Sequence, residues 1–211
     1  MKLNTFIYII VIFNQFVLYS QVDNDSLLEW NTRKLKIEDF KLEYDIPEEI
    51  ERMELQYSEF KLDSIRDLVA AYSSISIYFY PDNEINVLNF KDIEIKTTFR
   101  KRFSRIIINH NYVLPHEQLH FDIYEVYAKK MRNRHKELVN RYFVNNYKIS
   151  EWRKAVNEFI HYYNAMLLEA LNLNMEFDSE WLMYSADEEE RKKLILKNWR
   201  LKIDKMLGCS P

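Results

Sequence analysis

Leu114-Pro115-His116-Glu117-Gln118-Leu119-His120-Phe121-Asp122-Ile123 is the stretch on which the reading of this 211-residue chain turns. It contains an H-E-x-x-H pattern. On a helix, residues four apart differ by only about 40° in azimuth, so His116 and His120 would face one side. Their ring nitrogens could then share one Zn²⁺ at about 2.0–2.1 Å. Zinc lowers the pKa of a coordinated water toward about 7. Glu117, beside the same face, could hold that water and take its proton. The pattern needs helical context to count. That context is present: Pro115 suits a first helical turn, and no proline or glycine interrupts the pattern from there to about Tyr147. Phe121, Ile123, Tyr124, Tyr127 and Ala128 continue it as a core helix.

Outward from this helix, the C-terminal half reads as helices. A second is expected after Ser150, running to about Leu173, with Trp152, Val156, Phe159, Tyr163, Met166 and Ala170 at three-to-four spacing. Ser185-Ala186-Asp187-Glu188 has the form of a capping box, opening a last helix that reaches about Leu207. The N-terminal half reads as strands and loops. Tyr72–Tyr80 alternates and is rich in β-branched and aromatic residues, with Pro81-Asp82-Asn83 ending it. Val87–Phe99 holds a second strand, with Ile93, Ile95 and Thr97 on one face. Arg105–Ile108 is a third strand or the run-in to the helix.

The fold class expected is therefore α+β and zincin-like. A small antiparallel sheet packs on the long H-E-x-x-H helix, and further helices follow. Residues 1–20 stand apart. Lys2 followed by the apolar stretch 6–19 has the proportions of a secretory signal peptide, with cleavage after Ser20. Residues 21–211 then form one domain, strand-rich over 21–110 and helical over 111–211. The implied location is secreted or periplasmic, with no stable membrane span after cleavage. The stretch falls short of the roughly 20 residues a span needs; an uncleaved anchor is the alternative.

Composition removes other classes. One glycine in the whole chain excludes Gly-rich phosphate loops and dinucleotide fingerprints. A formal charge of −3 without a basic excess argues against nucleic acid as a partner. A single cysteine, Cys209, excludes an internal disulfide framework and Cys-rich zinc fingers.

The motif stretch, continued by Tyr124-Glu125-Val126-Tyr127-Ala128 and the basic run Lys129-Lys130-Met131-Arg132, resembles a bacterial family of unknown function described as secreted zinc-dependent proteases, with an H-E-Q-x-H-F-D-I core. Trp30, Lys34-Leu35 and Glu38-Asp39-Phe40 resemble its N-terminal block. Glu176-Phe177-Asp178-Ser179-Glu180 resembles its C-terminal Y-D-x-E-T segment. Ile37, Trp181 and Met183 stand where the family has tryptophan, threonine and histidine. The resemblance implies a zinc metalloprotease acting on a peptide or protein substrate, with Glu117 as general base. An inactive exported scaffold that keeps the fold is the alternative, and the methionine at 183 favours it.

A catalytic zinc needs three protein ligands. Helix geometry removes Asp122 and Glu125, which lie about 200° and 140° from His120 in azimuth. They suit supporting roles, and Tyr124 suits packing beneath the site. The third ligand must come from another segment. Glu180, which matches the family's glutamate, is the first choice, giving a ligand set of His116, His120 and Glu180. Asp178 is next. His161 reads as a buried core histidine more readily than as a ligand, His110 would need a sharp turn at Asn111, and His135 reads as solvated. Tyr112 and Tyr184 lie near enough in sequence to serve as oxyanion donors.

Overall fold

The computed structural model describes residues 27–41, 71–80, 85, 88–106, 110–143, 149–181, 183 and 188–208. The signal-peptide stretch, Pro81–Asn83, Ile107-Ile108, Tyr184, Ser185 and Cys209 lie outside the described residues. Within them the protein is α+β. Strands β1 (Leu27–Glu29), β3 (Ile75–Tyr80) and β4 (Glu94–Arg100) form an antiparallel sheet in the order β1-β4-β3, while β2 (Ala71–Tyr72) pairs with β5 (Arg105–Ile106). Three helices follow: α1 (Val113–Tyr142), α2 (Ile149–Trp181) and α3 (Glu189–Leu207).

The alternation in β3 turns Ile75, Ile77 and Phe79 inward. Opposite Ile77 stands Thr97 of β4, and opposite Phe79 stands Ile95. The strand expected over 72–80 is broken at Ser73-Ser74, because the Ser74 N–H donates to the Ser104 side chain (2.9 Å). β4 begins only at Glu94, since Phe90–Asp92 tightens into a 3-10 turn that buries Phe90 completely.

The inner face of the sheet packs on α1, and α2 and α3 pack on α1 from other sides. α1 is therefore enclosed. Every residue from His116 to Ala128 is buried, polar ones included. That burial is satisfied by cross-links. Asp122, fully buried, accepts from Trp30 Nε1 (2.5 Å), Gln118 Nε2 (2.9 Å) and an Arg200 guanidinium N–H, with Lys34 Nζ at 3.5 Å. Gln118 Oε1 accepts from the Leu35 N–H at 2.7 Å. The N-terminal block and α3 are thus tied to the motif helix at one carboxylate. Glu125 accepts from Thr97 of β4 (2.9 Å) and pairs with Arg132, whose other nitrogen donates to the Ile95 carbonyl. Both carboxylates hold neighbouring groups in place, as their azimuths required.

Helix boundaries differ from expectation in each of the three helices. α1 starts at Val113, so Pro115 is its third residue, still in the turn whose N–H groups have no helical acceptor. It ends at Tyr142, short of Tyr147. α2 runs eight residues beyond Leu173, because Asn174, Phe177, Asp178 and Trp181 extend its buried face without a helix breaker. α3 begins at Glu189 with Glu188 as its N-cap, and ends where Gly208 adopts φ 73°, a left-handed conformation glycine enters freely. No helix among the described residues is long and apolar enough to cross a membrane.

Candidate metal centre

Two facing stripes build the site. On α1, Tyr112 at the N-cap, His116 and His120 recur every four residues; on α2, Asn174, Asp178 and Trp181 recur at four and three. The spacing brings three atoms together. His116 Nε2 and His120 Nε2 are 2.9 Å apart, and Asp178 Oδ1 lies 3.2 Å from the first and 3.1 Å from the second. All three residues are buried and form a group able to hold a metal ion.

The tautomers follow from hydrogen bonds. Asn174 donates its Nδ2 to the Ala170 carbonyl (2.7 Å), which turns its Oδ1 toward His120 Nδ1 at 2.6 Å. His120 must therefore carry its hydrogen on Nδ1 and present Nε2 to the group. This is the usual outer support of a metal-ligating histidine. His116 is fixed by packing instead: it stacks on Phe177 (centroids 4.6 Å) and lies against Trp181 (4.6 Å), while its buried Nδ1 has no hydrogen-bond partner among the described residues.

Three electron-rich atoms at this separation require a positive charge among them. Burial disfavours the His120 imidazolium, but the Asp178 carboxylate outweighs it, aided by Glu117 and Asn174, and the ring is pushed up to about 9. Burial likewise raises Asp178, yet the two imidazoles hold its carboxyl well below the usual carboxylate range. Without a metal, a proton shared within the group can supply that charge. A metal ion satisfies the same three atoms at once. Ligands about 2.0–2.1 Å from a tetrahedral ion stand roughly 3.3 Å apart, close to the separations here. The donor set fits a divalent metal, and Asp178 Oδ1, buried without a hydrogen-bond partner among the described residues, is the orphan such an ion would complete.

Glu117 is buried on the adjoining side of α1, close enough for its charge to act on His120. Its Oε2 accepts from Ser73 Oγ at 2.5 Å, across from the β2–β3 break. Tyr124, one turn beyond His120, is buried beneath the group, and its hydroxyl has no hydrogen-bond partner among the described residues; burial first, then the Asp178 charge, pushes its pKa up.

The third member of the group is Asp178, not Glu180. Two residues on along α2 is a 200° rotation, and Glu180 Oε2 instead accepts from the Trp199 indole of α3 at 2.8 Å. His161 is exposed on α2, not a core histidine. His135 is half-buried, its Nε2 donating to the Phe90 carbonyl (2.6 Å), and burial lowers its pKa. His110 stacks on Tyr112 at 3.9 Å, away from the group of three. Met183 is exposed. Asn174 and Ser73 escaped the sequence reading. Asn174 lies one turn before Asp178 and would have been visible had α2 been extended past Leu173; nothing in the sequence marks Ser73.

No family model, curated protein or solved structure matches the chain.

Proposed function

We propose that this protein is an exported zinc-dependent hydrolase of peptide bonds. The observation that carries the reading is the convergence of His116 Nε2, His120 Nε2 and Asp178 Oδ1 with a buried glutamate beside them. Two imidazoles and one carboxylate form a ligand set that leaves a fourth position open in catalytic zinc sites. The H-E-Q-x-H-F-D-I resemblance supports the peptidase assignment, and the apolar segment 6–19 after Lys2 supports export.

Bound there, zinc supplies Lewis acidity and a nucleophile at neutral pH. The chain's own groups do the rest. Glu117, oriented by Ser73, takes the proton of the attacking water and returns it to the leaving amine. Asn174 and the Phe177 and Trp181 rings hold the two imidazoles in ligating orientation. Burial of the group keeps bulk water away from the charges that develop.

The test is metal content and peptide hydrolysis on residues 21–211, wild type and Glu117→Gln. Wild type is expected to hold one zinc per chain and to cleave. Glu117→Gln should keep the zinc while turnover falls by about 10² to 10⁴. Equal turnover in the two proteins would refute the mechanism. Zinc without cleavage of any peptide in a broad library would favour the scaffold reading.

A further inference from the structure

We propose that Lys192 reads a carboxylate on the substrate, one residue beyond the scissile bond. This rests on the hydrolase reading and names its substrate class. The facing stripes of α1 and α2 run from an enclosed end to one that adjoins exposed residues. At the enclosed end, His120, Asn174 and Tyr124 are buried. At the other, Tyr112 and Trp181 meet edge to face (5.3 Å) beside exposed Asn111 and Met183. Lys192, from the first turns of α3, closes that end: its ammonium lies 4.5 Å from the Trp181 ring and 5.1 Å from the Tyr112 ring. Trp181 in turn lies 4.6 Å from the His116 ring, so the two contacts in series place the ammonium within about 9 Å of that ring.

Among the described residues the charge on Lys192 has no ionic partner. Its neighbours on α3 are paired among themselves: Arg191 with Glu188 (2.8 Å), and Lys193 with Glu189 (2.9 Å) and Glu190 (3.0 Å). Lys192 makes no ion pair among the described residues, though it is buried to 7 % exposure. Glu188 is near enough only for its field to favour the charge, against the burial that lowers it. Aromatic faces attract a cation but take no strong hydrogen bond from it, so the ammonium keeps donors to offer. Stacked on Tyr112, His110 Nδ1 is also buried without a partner among the described residues. An unpaired cation in an apolar wall, near a hydrolytic centre, selects an anion. A carboxylate one residue past the scissile carbonyl lies one Cα step of about 3.8 Å away, within the reach set by these contacts. It can be the C-terminal carboxylate or an acidic side chain.

The experiment measures binding, not turnover. Intrinsic tryptophan fluorescence is titrated with acetyl-Ala-Phe and its C-terminal amide, and with acetyl-Ala-Glu-amide and acetyl-Ala-Gln-amide. The proteins are zinc-loaded Glu117→Gln and metal-free wild type, each with and without Lys192→Met. A charge-assisted hydrogen bond predicts at least about tenfold tighter binding of an acid than of its amide. The pair that shows it identifies the source. Lys192→Met should bring the ratio near one, and Lys192→Arg should restore it. Equal affinity for acid and amide in both pairs overturns the proposal without any variant, as does a ratio that survives Lys192→Met. Failure to bind zinc or cleave would instead refute the hydrolase reading, and the metal-free titration would still decide this one.

Discussion

Replacing Asn174 by leucine tests whether the group of three is built for a metal. The side chain is 1 % exposed, and its Oδ1 is the anchor of His120 Nδ1 among the described residues. Leucine preserves the bulk and removes the acceptor. Two effects follow, and they separate. The first strands a buried ring N–H, which costs about 1–3 kcal/mol whether or not metal is present. The second weakens metal binding, because His120 loses the contact that fixes its tautomer and orientation; loss of such a partner typically costs 10–100-fold in affinity. At saturating metal that factor removes about 1.4–2.7 kcal/mol of the stabilisation the ion provides. At about 2–4 °C per kcal/mol for a chain of this size, the rise in Tm on adding zinc should be about 3–10 °C smaller in Asn174→Leu than in wild type. The assay is the difference between zinc-saturated and chelated melts for each protein, so the first effect cancels. Asn174→Asp keeps an acceptor and should recover the wild-type increment. An identical zinc-induced shift in Asn174→Leu and wild type would show that Asn174 supports core packing and nothing more.

Three further outcomes are expected. Asp178→Asn should lose stoichiometric zinc, since a neutral amide is a poorer ligand than a carboxylate, whereas Glu180→Gln should keep it; elemental analysis of the two variants reads this directly, and the reverse result would return the third ligand to Glu180. Ser73→Ala should retain zinc and slow hydrolysis about tenfold or more by freeing the Glu117 carboxylate from its hydrogen bond; a rate equal to wild type would leave Ser73 without a role in orienting the base. Asp39 is held below its ordinary value of 3.8: burial raises it, but Arg33 (2.6 Å), the Lys36 N–H and Lys101 outweigh burial. Its folded pKa is depressed, so its contribution to stability is present above 3.8 and is lost as pH falls through the lower folded value. Asp39→Asn should therefore be less stable than wild type in urea at pH 7, with the gap narrowing in acid; a gap independent of pH would contradict the assignment.

Much of this was legible in the sequence because it is local. The four-residue spacing of His116 and His120 places two imidazoles on one face whatever the rest of the chain does, and the same arithmetic excludes Asp122 and Glu125. The alternation of Ile75, Ile77 and Phe79 marks an inward face of a sheet for the same reason. What was not legible depends on contacts between segments. The choice between Asp178 and Glu180 is a 200° difference in azimuth on α2, and it is decided by where α2 ends and how it lies against α1. Asp178 is in phase with Asn174 and Trp181; Glu180 faces the indole of Trp199 on α3. His161 illustrates the same limit: aromatic neighbours in sequence suggested a core position, but Phe159 faces inward and His161, two residues on, faces out.

The polar burial on α1 links these levels. A helix enclosed by a sheet and two other helices would ordinarily be apolar all round, yet α1 buries His116, Glu117, Gln118, His120, Asp122 and Glu125. Gln118, Asp122 and Glu125 are spent on cross-links to the N-terminal block, β4 and α3, and these fix the rotation of α1 about its axis. His116, Glu117 and His120 share that rotation, and in their group His116 Nδ1 and Asp178 Oδ1 are buried without a hydrogen-bond partner among the described residues. Buried polar groups without full partners are costly unless something else completes them. A helix clamped on one side by satisfied carboxylates, with two imidazoles aimed at Asp178 on the other, presents a group that could hold a metal ion.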